Sequence, residues 1–192
     1  RNMSSAASDV YKRQLNMLAM PWIATGVFVY QSFVTNSKGW GEYTIAQSFM
    51  SYSIFSVITL IVAGYLIDKF TSRKLLIYMN IPLFLGTLVI IYFDAPQTAF
   101  LFLGLVGISN GLANLLGSST WAEIYGVKYI GSIKALTTAL MVFATAFGTA
   151  LFGFFIDAGF SIEKIASIVS IAITSSIAVL FTIRKKLNPI YL

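Results

Sequence analysis

Six apolar stretches, each about as long as a lipid bilayer is thick, run through the sequence. They cover residues 15–35, 43–67, 75–93, 98–121, 135–157 and 164–183. A helix needs roughly 20 residues to cross a hydrocarbon core about 30 Å thick. The stretches are continuously apolar instead of alternating, and Gly, Ala and Ser recur in them at spacings of three and four, which disfavours a β-barrel. The sequence predicts an all-α membrane protein with six transmembrane helices.

The composition agrees with a lipid environment. With 57% hydrophobic and 10% charged residues, the 192-residue chain has more apolar surface than a soluble domain of this size buries. The net charge is +6, and most basic residues lie in short clusters outside the apolar stretches, so we expect topology signals and no nucleic-acid partner. The chain contains no His and no Cys, which removes the commonest general base, thiol nucleophile and metal ligands. We therefore expect no enzyme activity, no cofactor and no metal site.

The first 14 residues differ from the rest. Residues 4–14 read SSAASDVYKRQ, which resembles the in-frame translation of a transposase-type sequencing adapter. We expect residues 1–14 to be an artefactual or disordered segment and residues 15–192 to form a six-helix transmembrane bundle. The alternative is a natural polar tail with a basic patch. Because Leu15 already lies inside an apolar stretch, we also expect the chain to be a fragment of a longer protein.

Basic residues divide unequally between the two sides of the predicted bundle. Only Lys38 and Lys164 fall on one side. The other side carries Lys69, Arg73, Lys74, Lys128, Lys134, Arg184, Lys185 and Lys186. Cytoplasmic loops hold such an excess of Lys and Arg. We therefore expect both ends of the chain in the cytoplasm.

Two matching signatures close the second and fifth predicted spans. They are Gly64-Tyr-Leu-Ile-Asp68 and Gly153-Phe-Phe-Ile-Asp157. These spans run in opposite directions, so Asp68 is expected at the cytoplasmic face and Asp157 at the outer face. Similar triplets of spans with opposite orientation are typical of inverted-topology repeats in transporters. The sequence therefore predicts a 3+3 inverted repeat.

The first signature continues as Gly64-Tyr-Leu-Ile-Asp68-Lys69-Phe-Thr71-Ser72-Arg73-Lys74. This resembles the cytoplasmic loop signature of the major facilitator superfamily, G-x-x-x-D-[RK]-x-G-[RK]-[RK]-[RK]. Two positions depart from this pattern: Thr71 stands where the family usually has Gly, which puts a tight glycine turn in doubt, and Ser72 stands where the family often has a basic residue. The segments from Trp121 to Lys128 and from Gly148 to Asp157 also resemble the C-terminal half of such transporters.

The resemblance covers the chain from Leu15 onward and implies helices 7 to 12 of a twelve-helix fold. The expected partners are a missing N-terminal six-helix half, the lipid bilayer and a small-molecule substrate held between the halves near the midplane. The implied function is secondary active transport of a small polar solute by rocker-switch alternating access. The pattern around Trp40, Trp121 and Glu123 resembles bacterial members near the organic-anion and monocarboxylate carriers. A natural six-helix protein that dimerises into a transporter, or a non-transporting membrane scaffold, remains an alternative.

Polar residues inside the apolar stretches are the candidates for substrate contact. Asn110 and Asn114 lie on one helical stripe with Gly107, Gly111, Gly117 and Ser118. Such amides either face a cavity or bond across helices that the glycines bring together, and the sequence favours the two equally. In the family, the first and fourth spans line the central cavity. The candidate set is Thr25, Tyr30, Gln31, Gln47, Ser51, Asn110 and Asn114, of which Tyr30 could equally be an interfacial aromatic residue.

Charged residues at the span ends are the candidates for gating. By resemblance, Asp68 helps to close the cytoplasmic side, and Glu123 is expected to pair with Arg73 or Lys74. The alternative is that these charges are solvated and only set topology. The full candidate set is Gly64, Asp68, Lys69, Arg73, Lys74, Glu123, Gly153 and Asp157. No Asp, Glu, Lys, Arg or His lies near the middle of a predicted span, so we expect any ion-coupling group in the missing half.

Overall fold

The structure is a computed structural model that describes residues 3–126 and 130–183, with the side chains of residues 13–123, 126 and 130–182. The described part contains helices joined by short turns. The helices are α1 (Met3–Val29), α2 (Gln31–Lys38), α3 (Glu42–Phe70), α4 (Ser72–Leu75), α5 (Ile81–Tyr92), α6 (Thr98–Tyr125), α7 (Ile130–Asp157) and α8 (Ile162–Ile183), with a 3-10 turn at Leu76–Tyr78.

Six spans of membrane-crossing length account for these helices. Five segments are long and apolar enough alone, and α1 with α2 makes the sixth, bent by 68°. The third span, Ser72–Tyr92, contains α4, the 3-10 turn and α5. The prediction of an all-α membrane protein is confirmed, with five helical segments able to span a membrane, or six when the bent pair counts as one span. The bend at Tyr30 and the break before Ile81 were not predicted, because both lie inside continuous apolar stretches.

Helix α1 begins at Met3, within the segment that we expected to be artefactual or disordered. The origin of that segment and the division of the chain at Leu15 stay predictions. Pro21 lies inside α1, yet the bend in this span comes later, at Tyr30. Pro82 lies in the first turn of α5, where its missing N–H interrupts no helical hydrogen bond.

Helix packing repeats between the first three spans and the last three. The most extensive pairs are α3 with α6 and α1 with α7, followed by α5 with α6, α5 with α8 and α1 with α8. In the two triplets, α1 corresponds to α6, α3 to α7 and α5 to α8. The pair α3–α6 therefore corresponds to the pair α7–α1, and the pair α5–α6 corresponds to the pair α8–α1. Successive spans alternate in direction because the connections are short. The predicted 3+3 inverted repeat is therefore confirmed.

Glycines bring both main helix pairs into backbone contact. A Cβ added at Gly111 of α6 would lie 2.6 Å from the carbonyl oxygen of Ser56 in α3, and one at Gly107 would overlap the carbonyl of Tyr52. In the equivalent pair, a Cβ at Gly148 of α7 would overlap the carbonyl of Trp22 in α1. Small residues allow such close approach where helices associate in lipid. Gly107 and Gly111 of the α6 stripe therefore serve packing.

The bundle has a well-buried rear and two poorly buried flanks. The third span and α6 bury the largest share of their length, and α3 and α7 the smallest. The core contains Leu83, Phe102, Leu103, Ile165 and Ile173 from α5, α6 and α8. Large apolar side chains on α3 and α7 are exposed instead, for example Ile61 and Phe143. These flanks suit lipid or another helical bundle.

Candidate functional site

A cavity of about 240 Å³ lies between α1, α3, α6 and α7. Three of the seven predicted substrate residues line it: Thr25 from α1, and Asn110 and Asn114 from α6. Helices α5 and α8 contribute no described residue to its lining. The first and fourth spans therefore face a common cavity, as the resemblance implied.

Asn110 both lines the cavity and bonds across helices. Its Nδ2 donates to Ser56 Oγ of α3 at 3.0 Å. Asn114, one turn further along α6, is exposed and makes no hydrogen bond with a described residue. Both alternatives for this stripe therefore hold: Gly107 and Gly111 pack against α3 and Asn110 bonds to it, while Asn110 and Asn114 also border the cavity.

Several cavity residues were missed from the sequence. Gln14, Phe28, Tyr52, Trp121 and Thr137 also line it. Trp121 could have been found, since it continues the α6 stripe one turn beyond Gly117. Phe28 and Tyr52 gave no comparable signal, because aromatic residues are equally common on lipid-facing surfaces of membrane helices.

Four predicted substrate residues do not line the cavity. The bend at Tyr30 directs α2 away from the cavity. Gln31, the first residue of α2, borders a separate surface groove that Glu42 also lines. In α3, Ser48 and Ser56 are buried against the bundle. Gln47 is the residue before Ser48, so its side chain points about 100° away around the helix, and it is exposed. Ser51 is partly exposed on the same side. A substrate role for these four residues stays a prediction.

A charged cluster joins the third and fourth spans at the end that carries Lys69, Arg73 and Lys74, here called the basic end. Arg73 Nε lies 2.9 Å from Glu123 Oε1, and Arg73 Nη2 donates to the Glu123 carbonyl oxygen at 2.8 Å. Glu123 Oε2 accepts from the Ser72 backbone N–H at 3.0 Å and from the Ser72 hydroxyl. The expected pair of Glu123 with Arg73 is present, while Lys69 and Lys74 are exposed. Its gating role stays a prediction.

The turn after α3, which the departure at Thr71 had put in doubt, forms without glycine. Thr71 has φ 72° and ψ 142°, a conformation that is nearly restricted to glycine. Gly126 at the end of the neighbouring α6 has a closely similar conformation, φ 71° and ψ 175°. The Glu123–Ser72 contacts hold the chain directly after Thr71, and they offset the strain of a β-branched residue in this region.

The two copies of the G-x-x-x-D signature differ in their surroundings. Gly153 lies against the hydroxyl of Tyr30, which leaves no room for a Cβ, whereas an added Cβ at Gly64 would only touch Leu115 at 4.0 Å. Asp68 and Asp157 are both exposed and form no ion pair with a described residue. Gly153 therefore supports the bend of the first span, and neither aspartate is used inside the described bundle.

A second charged cluster holds the opposite end of the bundle together. The Lys38 side chain is 1% exposed, and its Nζ lies 2.7 Å from Asp94 Oδ1 and 2.8 Å from Glu163 Oε1. Trp40 Nε1 donates to the Asp94 carbonyl oxygen at 2.9 Å. These contacts join α2, the loop before α6 and the start of α8. The sequence had assigned Lys38 only to topology.

Buried amides close the break in the third span. Asn16 Nδ2 donates to the Leu76 carbonyl oxygen at 3.2 Å, and Asn80 Nδ2 donates to the Asn16 carbonyl oxygen at 2.7 Å. Ser109 Oγ donates to the Met79 carbonyl oxygen at 3.1 Å. Side chains of α1 and α6 thus replace helical hydrogen bonds that the break removes, as irregular backbone inside a membrane requires.

Comparison with known proteins agrees with this architecture. No curated protein and no solved structure matches the chain. The model of the Major Facilitator Superfamily matches residues 15–189. Because this match spans most of the chain, the protein belongs to the major facilitator superfamily.

Proposed function

We propose that this chain is one six-helix half of a secondary active transporter that moves a small polar solute by rocker-switch alternating access. Family membership makes it a membrane transporter in general terms. The observation that supports the finer proposal is the cavity between α1 and α6, which contains the unpaired amide of Asn114. Polar groups at membrane depth usually face a substrate path or a protein interior.

The proposed partner is a second six-helix bundle placed over the cavity. Helices α3 and α7 flank the cavity and are the least buried, while α5 and α8 pack against α6 and α1 without lining it. A bundle resting on both flanks would enclose the cavity between two walls, as a midplane substrate site requires. The missing N-terminal half is our preferred partner, and a second copy of this chain is the alternative.

The proposed latch lies at the basic end. The ion pair of Arg73 with Glu123 joins the third and fourth spans, and Asp68 remains exposed for a contact outside this bundle. Partly exposed ion pairs contribute about 0–1 kcal/mol each, so a few such contacts bias the inward/outward balance without fixing it.

The proposed location is a bacterial inner membrane with both ends of the chain in the cytoplasm. Lys69, Arg73, Lys74 and Lys134 support this orientation, because they lie at or near the basic end. Lys128, Arg184, Lys185 and Lys186 belong to the same expected side but lie outside the described residues.

Uptake into proteoliposomes tests the transport proposal. The coding sequence is extended upstream of Leu15, the completed protein is reconstituted, and uptake of a broad panel of labelled small solutes is measured. Gly117 lines the cavity in open space, so Gly117→Trp should fill the cavity and abolish uptake. Gly131 is equally open but lies outside the cavity, so Gly131→Trp is the matched control. The absence of uptake for the whole panel would support a scaffold instead, and uptake by the 192-residue chain alone would support a dimer.

A further inference from the structure

The described residues that line the cavity include no Asp, Glu, Lys or Arg. Their apolar part consists largely of thioether and aromatic side chains, among them Met17, Met141, Phe28 and Trp121. An ionised group that leaves water needs a counter-charge or several hydrogen bonds, and its burial without them is strongly unfavourable. This wall therefore offers no counter-charge to an ionic group of a solute.

Aromatic rings lie at both ends of the cavity. Phe28, near the end of α1, meets Tyr52 edge to face, with ring centroids 5.3 Å apart and an interplanar angle of 89°. Trp121, near the basic end of α6, also lines the cavity and is 2% exposed. Aromatic pairs favour such edge-to-face or offset arrangements, so a planar ring gains more here than a hydroxyl-covered solute does.

Two amides lie between these rings on one face of α6. Ser56 accepts one N–H of Asn110, which fixes the orientation of that amide. Asn114 forms no hydrogen bond with a described residue, so its two N–H donors and its carbonyl oxygen all remain for a ligand. The group that complements them is neutral and both donates and accepts hydrogen bonds.

We propose that this wall binds the uncharged aromatic part of an amphipathic solute. The ring lies against Phe28 and Tyr52 at one end of the cavity, and a neutral amide-like group bonds to Asn110 and Asn114. The cavity of about 240 Å³ is smaller than the roughly 300–1,000 Å³ of complete small-molecule sites, so it holds only part of the solute. The physiological meaning of this binding rests on the proposed transport function, and any charge of the solute lies away from this wall.

Three probe molecules separate the contributions of ring, amide and charge. Benzamide has both the ring and the amide, benzoate has the same ring with a carboxylate, and acetamide has the amide without the ring. Each is titrated against the full chain in lipid nanodiscs, with binding followed by saturation-transfer NMR. We expect benzamide to bind at least tenfold more tightly than benzoate or acetamide. Benzoate or acetamide binding as tightly as benzamide, or no benzamide binding at all, would overturn the inference.

Substitution of Asn114 tests the position of the site. Asn114→Leu should weaken benzamide binding at least tenfold, and Asn114→Gln should weaken it less, because Gln retains the amide. Asn36 is also an exposed amide but lies at the opposite end, so Asn36→Leu is the control that leaves binding unchanged. Thermal unfolding of each variant by circular dichroism establishes that it is folded. Unchanged benzamide binding in a folded Asn114→Leu variant would overturn the inference.

Uptake distinguishes failure of this inference from failure of the proposed function. Selective benzamide binding that depends on Asn114, without uptake of any solute by the completed protein, would contradict transport while supporting the binding chemistry. Uptake that is unaffected by Asn114→Leu would support transport and contradict the binding chemistry.

Discussion

Removing both carboxylates around Lys38 should destabilise the bundle more than removing Lys38 itself. The Lys38 side chain is 1% exposed, whereas the side chains of Asp94 and Glu163 are 80% and 40% exposed. Water can therefore solvate either carboxylate when the ammonium is absent. It cannot reach the ammonium when both carboxylates are neutral. The cost of each substitution should follow this asymmetry.

The exposures give the expected magnitudes. Asp94→Asn removes one largely solvated partner and should lower the free energy of unfolding by about 0–1 kcal/mol. Asp94→Asn with Glu163→Gln leaves a buried ammonium without a counter-charge and should cost about 3–5 kcal/mol. Adding Lys38→Met to that double variant removes the unpaired charge, so the triple variant should recover about half of the loss or more.

The free energy of unfolding is measured by SDS titration in mixed micelles at pH 7, with helix content followed by circular dichroism. Lys164→Met is the control, because Lys164 is exposed and adjacent to Glu163, and it should change stability by less than about 0.5 kcal/mol. A double variant as stable as the parent protein would refute the reasoning. So would a triple variant less stable than the double variant, because burial of an unpaired charge would then not be the cause.

Three further predictions use the same titration or simple labelling. Thr71→Gly should raise the free energy of unfolding by about 0.5–2 kcal/mol, because glycine adopts a positive φ without strain. Gly126→Ala should lower the free energy of unfolding by about 1 kcal/mol for the same reason. A Thr71→Gly variant less stable than the parent protein would contradict this. Gly148→Ala should cost about 1–3 kcal/mol or more, since its Cβ would force α7 away from α1, and an unchanged stability would contradict their close contact. The chain has no Cys, so single variants Lys74→Cys and Ser161→Cys should react with impermeant maleimides from the cytoplasmic and outer faces respectively. Labelling of both from one face would contradict the orientation.

The sequence predicted the helices well and their interruptions poorly. Lipid leaves a backbone N–H no partner outside the chain, so an apolar stretch of span length has to be helical. The break in the third span depends on partners distant in sequence. Asn16 binds the Leu76 carbonyl oxygen, and Ser109 binds that of Met79. The residues around the break do not predict these partners.

The candidate site was half predictable for a similar reason. The spacing of Asn110 and Asn114 placed both amides on one helix face, and both line the cavity. Which face of a neighbouring helix meets them depends on how that helix is rotated in the bundle. Tyr52 lines the cavity, whereas Ser51, the preceding residue of α3, does not. A difference of about 100° around the helix separates these residues.

The sequence by itself determined the solvent of this protein, its six helices and the unequal distribution of basic residues, because each follows from local composition over one span or one loop. Tertiary structure alone decided what the charged residues do. Lys38 is a lone basic residue in the sequence, yet it is buried against Asp94 and Glu163 once α2, the loop before α6 and the start of α8 meet. In the unfolded chain, water screens a charge at the end of a span from charges distant in sequence. Folding brings such charges together and excludes the water between them, so only the tertiary structure decides whether the charge forms an ion pair.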